Sequence, residues 1–245
     1  TVMRLGGTCV IMEQFDAEQY LSYVERYQIT HTQLVPTMFV RMLKLPEASR
    51  KKHRLDSLNV AIHAAAPCPI AVKQAMIDWW GPVVLEYYGM TEGGGRTELH
   101  CHAHPDKLHT VGRPAQGHDI RLIDEQGVQV PAGESGEVVG SSTAMMKGYY
   151  RMPEKTSEVE WFSPEGKRFI RTGDVGRFDA DGFLILGDRK KDMIISGGFN
   201  VYPVDIESVL LQHPGVKECA VVGVSSRLWG ETPVAYVVLR TDAAP

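Results

Sequence analysis

Apolar positions along the first hundred residues follow two rhythms. After Asp16-Ala-Glu-Gln19, with a glutamine three residues beyond an N-cap acid, Tyr20, Leu21, Val24 and Tyr27 recur at the spacing of one helix face. Pro36 suits the first turn of a second helix with Phe39, Val40 and Leu43 on its apolar side. Pro67 and Pro69 start a third that runs to Trp80, where Gly81-Pro82 breaks it. Between the helices stand short runs of strand type at 58–62 and 83–87. Strands alternating with helices predict a parallel α/β sheet. From about His109 the texture becomes all-β or barrel-like, with short β runs at Asp119–Ile123, 136–139 and 183–186 punctuated by turns such as Pro131-Ala-Gly133 and Asp181-Gly182. After Gly198 a helix opens at Pro203, with Ile206, Val209 and Leu210 on its apolar face, and closes at His213-Pro-Gly215; strands at 219–224 and 234–240 follow. The expected organisation is an α/β part over 1–108, a β-rich part over 109–190 and the start of a small α+β domain over 191–245.

At 245 residues, one or two domains of roughly 150 residues are expected. Twenty-six Lys and Arg against 30 Asp and Glu give a formal charge of -4, which offers no general field for nucleic acid or an anionic membrane. Four cysteines with no C-x-x-C do not make a disulfide framework, and a reducing cytoplasm is the natural reading. The longest apolar stretches are about six residues, so no membrane-spanning helix is expected. The chain opens on Thr1 without signal-peptide features. Its last strand, 234–240, has no downstream neighbour, so a piece of a longer protein is expected.

Several segments carry candidate chemistry. Glu86-Tyr-Tyr-Gly-Met-Thr-Glu92, followed by Gly93-Gly94-Gly95, leaves a strand at the edge where α/β sheets bind ligands. An aromatic face, a hydroxyl and a carboxylate there suit a base, a phosphate and Mg²⁺, while a glycine-rich turn with one exposed acid is the plainer alternative. Asp174, after Arg171-Thr-Gly at an expected strand end, suits a vicinal diol or a simple Asx-turn. The charged run Gly187–Asp192 reads as a solvated linker or as a hinge carrying a phosphate-binding arginine. Ser196-Gly-Gly-Phe-Asn200 allows close backbone approach or a plain turn. His100, His102 and His104 alternate, but Cys101 falls on the opposite face and Pro105 favours a polar loop over zinc. His63 reads as a core imidazole before it reads as catalytic. Serine-hydrolase, Walker A and zincin motifs do not occur.

Taken in order, these segments resemble the adenylate-forming superfamily of acyl-CoA synthetases, peptide-synthetase adenylation domains and luciferases. Tyr88-Gly-Met-Thr-Glu92 looks like its Tyr-Gly-x-Thr-Glu motif, and Gly148 to Thr156 like its Gly-Tyr-x-x-x-Pro-Glu-x-Thr segment. Arg171-Thr-Gly-Asp174, Asp181-Gly-Phe-Leu184 and Asp188-Arg189 through Glu207 look like the block ending the large domain. The likeness runs over nearly the whole chain. It implies an ATP-dependent acid:CoA ligase using Mg²⁺, ATP and CoA on a fatty or aryl acid, cytoplasmic, with a homodimer admitted. Tyr88 would pack on adenine, with Ala65, Ala66, Pro67 and Leu186 around it and Glu86, Tyr87, Gly89 and Met90 in the same nucleotide set. Thr91 would bond the α-phosphate, Glu92 would hold Mg²⁺, Asp174 would grip the ribose and Arg189 would contact ribose or phosphate. Thr91, Glu92 and Arg189 form the implied catalytic group. Lys191 would be the hinge, and Gly197, Gly198 and Phe199 would form the CoA-side loop. His63, Met38 and Phe39, with Gly93 to Gly95, would border the acid.

Two family features are missing: the Ser/Thr-Gly-Thr-Thr-Gly-x-Pro-Lys-Gly phosphate loop and the late catalytic lysine. The chain alone is therefore expected not to catalyse adenylation. The Asp192–Pro203 segment looks more like fatty- or aryl-acyl-CoA ligases than like peptide synthetases. Adenylation of an amino acid, or a non-catalytic nucleotide-binding relative, are the alternatives.

Overall fold

The computed structural model describes residues 2–189, 193–197 and 199–240. The chain divides into two compact units, Thr1–Gly89 with Arg96–Ala115, and Met90–Gly95 with Gln116–Pro245.

The first unit sets four helices, α1 (Ala17–Tyr27), α2 (Pro36–Leu43), α3 (Glu47–Lys51) and α4 (Ile70–Trp80), with a sheet of β1 (His31–Leu34), β2 (Val60–His63), β3 (Val84–Gly89), β4 (Arg96–His100) and β5 (Arg113–Pro114). The strands lie in that order; β1, β2 and β3 run parallel and the rest antiparallel. The parallel expectation thus holds for three strands. The return through β4 was hidden because only Thr97 and Leu99, between charged residues and a histidine, carry its buried face. His100 ends β4, its ring 6.4 Å from that of His102, and His104 precedes a short 3₁₀ turn, as a polar loop requires.

Local chemistry explains the helices. The Asp16 carboxylate accepts the Gln19 N–H at 2.8 Å at the start of α1, and Gln28 closes it in a left-handed conformation. Pro36 opens α2, whose buried face is Phe39 and Met42, while Val40 and Leu43 are half-buried. In α4 the inward positions are Lys73, Met76 and Trp80, and Gly81 ends the helix at φ 76°.

The second unit contains β6 (Asp119–Ile123), β7 (Gly136–Ser141), α5 (Pro153–Val159), β8 (Glu160–Phe162), β9 (Arg168–Phe178) and β10 (Leu184–Arg189). These strands form an antiparallel sheet ordered β10-β9-β7-β6, with β8 on β9. Ile123, Val139, Trp161 and Phe169 pack as its core, with the Trp161 and Phe169 rings 5.1 Å apart. A further sheet orders β12 (Phe199–Val201), β11 (Ile194–Ser196), β14 (Gly230–Leu239) and β13 (Val216–Ser226), with α6 (Pro203–Leu210). The last strand therefore has upstream neighbours: β14 pairs along its length with β13 and at Gly230 with Ser196. The lack of a downstream partner says nothing about chain length. Val209, expected on the buried face of α6, is 66% exposed. Among the described residues no helix is long and apolar enough to cross a membrane.

Candidate active site

In the first unit β2 and β3 run parallel, β2 stopping at His63 opposite Glu86 while β3 runs on to Gly89, at the edge where α/β sheets present ligand-binding groups. After β2 the chain turns through Ala64-Ala-Ala-Pro67 into α4. Ala65 sits at φ 75°, a conformation costing an L-residue roughly 1–2 kcal/mol, so surrounding structure holds this turn strained. Ala65, Ala66 and Pro67 are exposed. At the end of β3, Tyr87 and Tyr88 are half-buried on opposite faces, and the Tyr87 hydroxyl accepts from Gln33 Nε2 at 3.3 Å.

Glu86 shares its face of β3 with Tyr88, but its carboxylate is buried against the Lys73 ammonium of α4. The same ammonium donates to the Leu108 carbonyl at 2.8 Å. Burial pushes the Glu86 carboxyl above the usual carboxylate range, while Lys73 pulls it back. His63 stands opposite Glu86 in register, edge-on to Phe39 at 5.3 Å, with neither ring nitrogen hydrogen-bonded. Burial, then the Lys73 charge, lowers its pKa to about 3. The ring is thus neutral, and its 3.8 Å approach to Glu86 is a contact and not an ion pair. Burial pushes Cys68 up to about 12 and Cys101 to about 11. Among the described residues, His63, Glu86 and Cys101 form the one group with a metal site's donor set. Since the thiols are protonated at neutral pH and Lys73 already sits on Glu86, the cation held here is the lysine. Of the residues expected to border the acid, Phe39 and His63 are fully enclosed and Met38 is half-buried.

In the second unit the turn Met90–Gly95 is held by hydrogen bonds at Met90, Glu92 and Gly93. The Gly93 N–H reaches the Met90 carbonyl at 3.1 Å, Ser142 Oγ donates to the Gly93 carbonyl at 2.7 Å, and the Met146 N–H donates to the Glu92 carbonyl at 2.8 Å. A Cβ on Gly93 would strike the Ala144 carbonyl, one on Gly94 would lie 2.8 Å from Ile170 Cβ, and one on Gly95 would strike Ile120 Cδ1. The glycines are thus packing requirements that set Thr91, exposed, and Glu92, half-buried, at the head of the turn. Glu92 Oε1 accepts the Tyr149 hydroxyl at 2.8 Å, and that bond raises the tyrosine's pKa above the ordinary phenol value. Tyr149 is held in turn by its N–H on Thr156 Oγ1 at 2.9 Å, while Thr156 Oγ1 donates to the Met152 carbonyl. The Gly148 to Thr156 segment therefore delivers a hydroxyl to Glu92, a link the sequence did not suggest.

Asp174 does not lie at a strand end as expected. It sits inside the eleven-residue β9, where Thr172, Gly173 and Asp174 bulge opposite Val138 alone. Gly173 takes φ 75°, and Thr172 Oγ1 accepts the Asp174 N–H at 3.1 Å while donating to the Val138 carbonyl. Arg171 is committed to Glu137, with Nη2 at 2.8 Å. Asp174 is half-buried, its backbone opposite Arg189 on β10; Leu186, also half-buried, pairs with Gly176. The Arg189 side chain, Lys191 and Gly198 lie outside the described residues. In the CoA-side loop, Gly197 takes φ 59° with its N–H on the Trp229 carbonyl at 2.8 Å, and Phe199 is 76% exposed.

The fold is thus of mixed α/β type, with a strained turn and a tyrosine-bearing strand end in the first unit and, in the second, a pinned Thr-Glu turn and a bulged aspartate. The chain belongs to the AMP-binding enzyme family: the model of the AMP-binding enzyme matches residues 1–150, and that of the AMP-binding enzyme C-terminal domain matches 205–245. It is 37% identical to the medium/long-chain-fatty-acid–CoA ligase FadD8 of Mycobacterium tuberculosis over 98% of this chain and 41% of the ligase. It is 38% identical to a feruloyl-CoA synthase of Amycolatopsis over 95% of this chain and 46% of that protein. Among solved structures, ATP-bound MatB from Rhodopseudomonas palustris matches at TM-score 0.87 and 33% identity, covering 100% of this chain and 47% of MatB. Amide bond synthetase McbA from Marinactinospora thermotolerans matches at TM-score 0.86 and 36% identity, covering 98% and 48%. The chain thus spans less than half the length of these relatives.

Proposed function

We propose that the whole protein carrying this chain is an ATP-dependent carboxylic acid:CoA ligase acting in the cytoplasm on a fatty or aryl acid. The observation that carries the reading is the Thr91–Glu92 turn, locked by three glycines and by Tyr149. In the first half-reaction a carboxylate oxygen attacks the α-phosphorus of ATP, the bond to the bridging oxygen of pyrophosphate breaks, and an acyl-adenylate forms. The acid is already ionised at pH 7, so no general base is needed. In the second, the CoA thiolate attacks the acyl carbon and AMP leaves with the bonding pair.

Each residue has a part in this reading. Tyr88 packs on the adenine, with Ala65, Ala66, Pro67 and Leu186 beside it, and the Gly89–Met90 backbone leads to the phosphate. The Thr91 hydroxyl donates to the α-phosphate, Asp174 accepts from the ribose hydroxyls and Arg189 contacts ribose or phosphate. Glu92 fits a magnesium ion: its carboxylate is a hard oxygen donor, with Oε1 positioned by the Tyr149 hydroxyl. Magnesium bound there would offset phosphate charge. Lys191 serves as the hinge, and Gly197, Gly198 and Phe199 serve the thioester step. The partners are the acid, ATP and CoA, and homodimerisation is open to light scattering.

The test is AMP release by the whole protein across a panel of carboxylic acids, with and without CoA. Acid-dependent release that CoA accelerates supports the ligase. Release driven by an amine instead of CoA supports amide synthesis, the activity in McbA's name. No acid-dependent release at all contradicts the reading.

A further inference from the structure

The two walls proposed for the nucleotide, the Ala65–Pro67 turn and the Tyr88 end of β3, are joined by a feature with no part in the chemistry above. The turn runs directly into α4, and Lys73 points inward from the first turn of that helix. Its ammonium, 3% exposed as a residue, is bonded to Glu86 on β3 and to the Leu108 carbonyl. Glu86 lies two residues before Tyr88 on the same face. One buried ammonium thus pins three segments: the helix that continues the strained turn, the strand that carries Tyr88, and the chain at Leu108.

Chemistry favours a spacing role over a bulk structural one. Buried ion pairs are often no more stabilising than apolar side chains of the same size, so packing alone gives no reason for a charge here. An ammonium is a compact donor that engages two acceptors from different segments at once, which an apolar side chain cannot do. Neutral His63, without hydrogen-bond partners, supplies no alternative link.

We propose that Lys73 is a positioning residue for nucleotide binding: held between Glu86 and the Leu108 carbonyl, it sets the separation between the Ala65–Pro67 turn and Tyr88. This deepens the nucleotide reading above and rests on it. The pair acts beneath the nucleotide and touches no reacting atom.

The test uses the whole protein. Lys73→Met alone strands a buried carboxylate and can cost the fold, so the deciding variant is the double one, Lys73→Met with Glu86→Leu, which removes both charges together. It is expected to melt near the wild-type temperature yet bind AMP about tenfold more weakly, with KM for ATP raised alike and KM for the acid and for CoA unchanged. Amides of Ala65, Ala66 and Tyr88 are expected to exchange faster. Glu86→Gln replaces the carboxylate by a weaker amide acceptor and is expected to give a smaller loss, AMP affinity falling about threefold with KM for the acid and for CoA unchanged. Wild-type AMP affinity in the folded double variant, or equal weakening toward ATP, acid and CoA, would overturn the proposal. If the double variant does not fold, Glu86→Gln decides: weaker AMP binding with faster exchange at these amides and unchanged KM for the acid and for CoA supports it, and wild-type AMP affinity with unchanged exchange overturns it. A wild-type protein that binds no AMP sinks the nucleotide reading itself, an outcome separate from either.

Discussion

Asp174 and Tyr149 make opposite demands on a mutational test. Asp174 is the proposed ribose acceptor, so Asp174→Ala in the whole protein is expected to weaken ATP binding by roughly 2 kcal/mol, read by calorimetry. Unchanged affinity would remove the ribose role. Tyr149→Phe deletes only the hydroxyl on Glu92. It is expected to raise the Mg²⁺ concentration for half-maximal AMP release several-fold while AMP affinity without Mg²⁺ stays put; equal losses in both would assign Tyr149 to the nucleotide instead. Thr91, Glu92 and Asp174 stand out as candidates in the sequence because a hydroxyl and two acids lie beside glycines in short, ordered motifs. Tyr149 was not, because it lies 57 residues from its partner and an uncharged tyrosine announces no destination. Lys73 left a fainter trace. Its place at 73 in the series 73, 76, 80 puts a charge on the inward face of an otherwise apolar stripe, and a lysine in a helix is usually solvated.

Elements repeat that division between local and distant causes. Helix starts at Asp16, Pro36 and Pro203 were readable because capping is decided within a few residues. Strand β4 and the long β9 were not, because pairing with distant strands extends them beyond their apolar residues. The bulge that projects Asp174 depends on Val138, far away in sequence. The Met90–Gly95 turn is glycine-rich in the sequence, but the neighbour each glycine answers, Ala144, Ile170 or Ile120, lies far along the chain. Gly95→Ala and Gly182→Ala share a positive φ, but only the first would drive a Cβ into a side chain. Urea unfolding is expected to show Gly95→Ala costing roughly 1–3 kcal/mol more, the usual overpacking penalty. Equal costs would mean the turn is not held against Ile120 as described.

For the molecule as a whole, the pattern changes texture near residue 109, while the compact units divide after Ala115, and the membership of Met90–Gly95 in the second unit rests on contacts formed only on folding. A buried neutral histidine also ties global stability to pH. His63 titrates near 3 in the folded protein and near 6.5 when unfolded, so between those values only the unfolded chain takes up the proton. Stability contributed by this site is therefore full above pH 6.5 and falls on acidification. Between pH 7 and pH 5 the wild type is expected to lose about 2 kcal/mol more than His63→Leu in parallel unfolding curves. Parallel losses would mean that the imidazole is solvated. The most direct measurement is a crystal structure of the whole protein with AMP. The account predicts adenine against Tyr88, the ribose hydroxyls on Asp174 and the phosphate at Thr91. AMP bound away from these residues, or Tyr88 and Asp174 opening onto different surfaces, would contradict it.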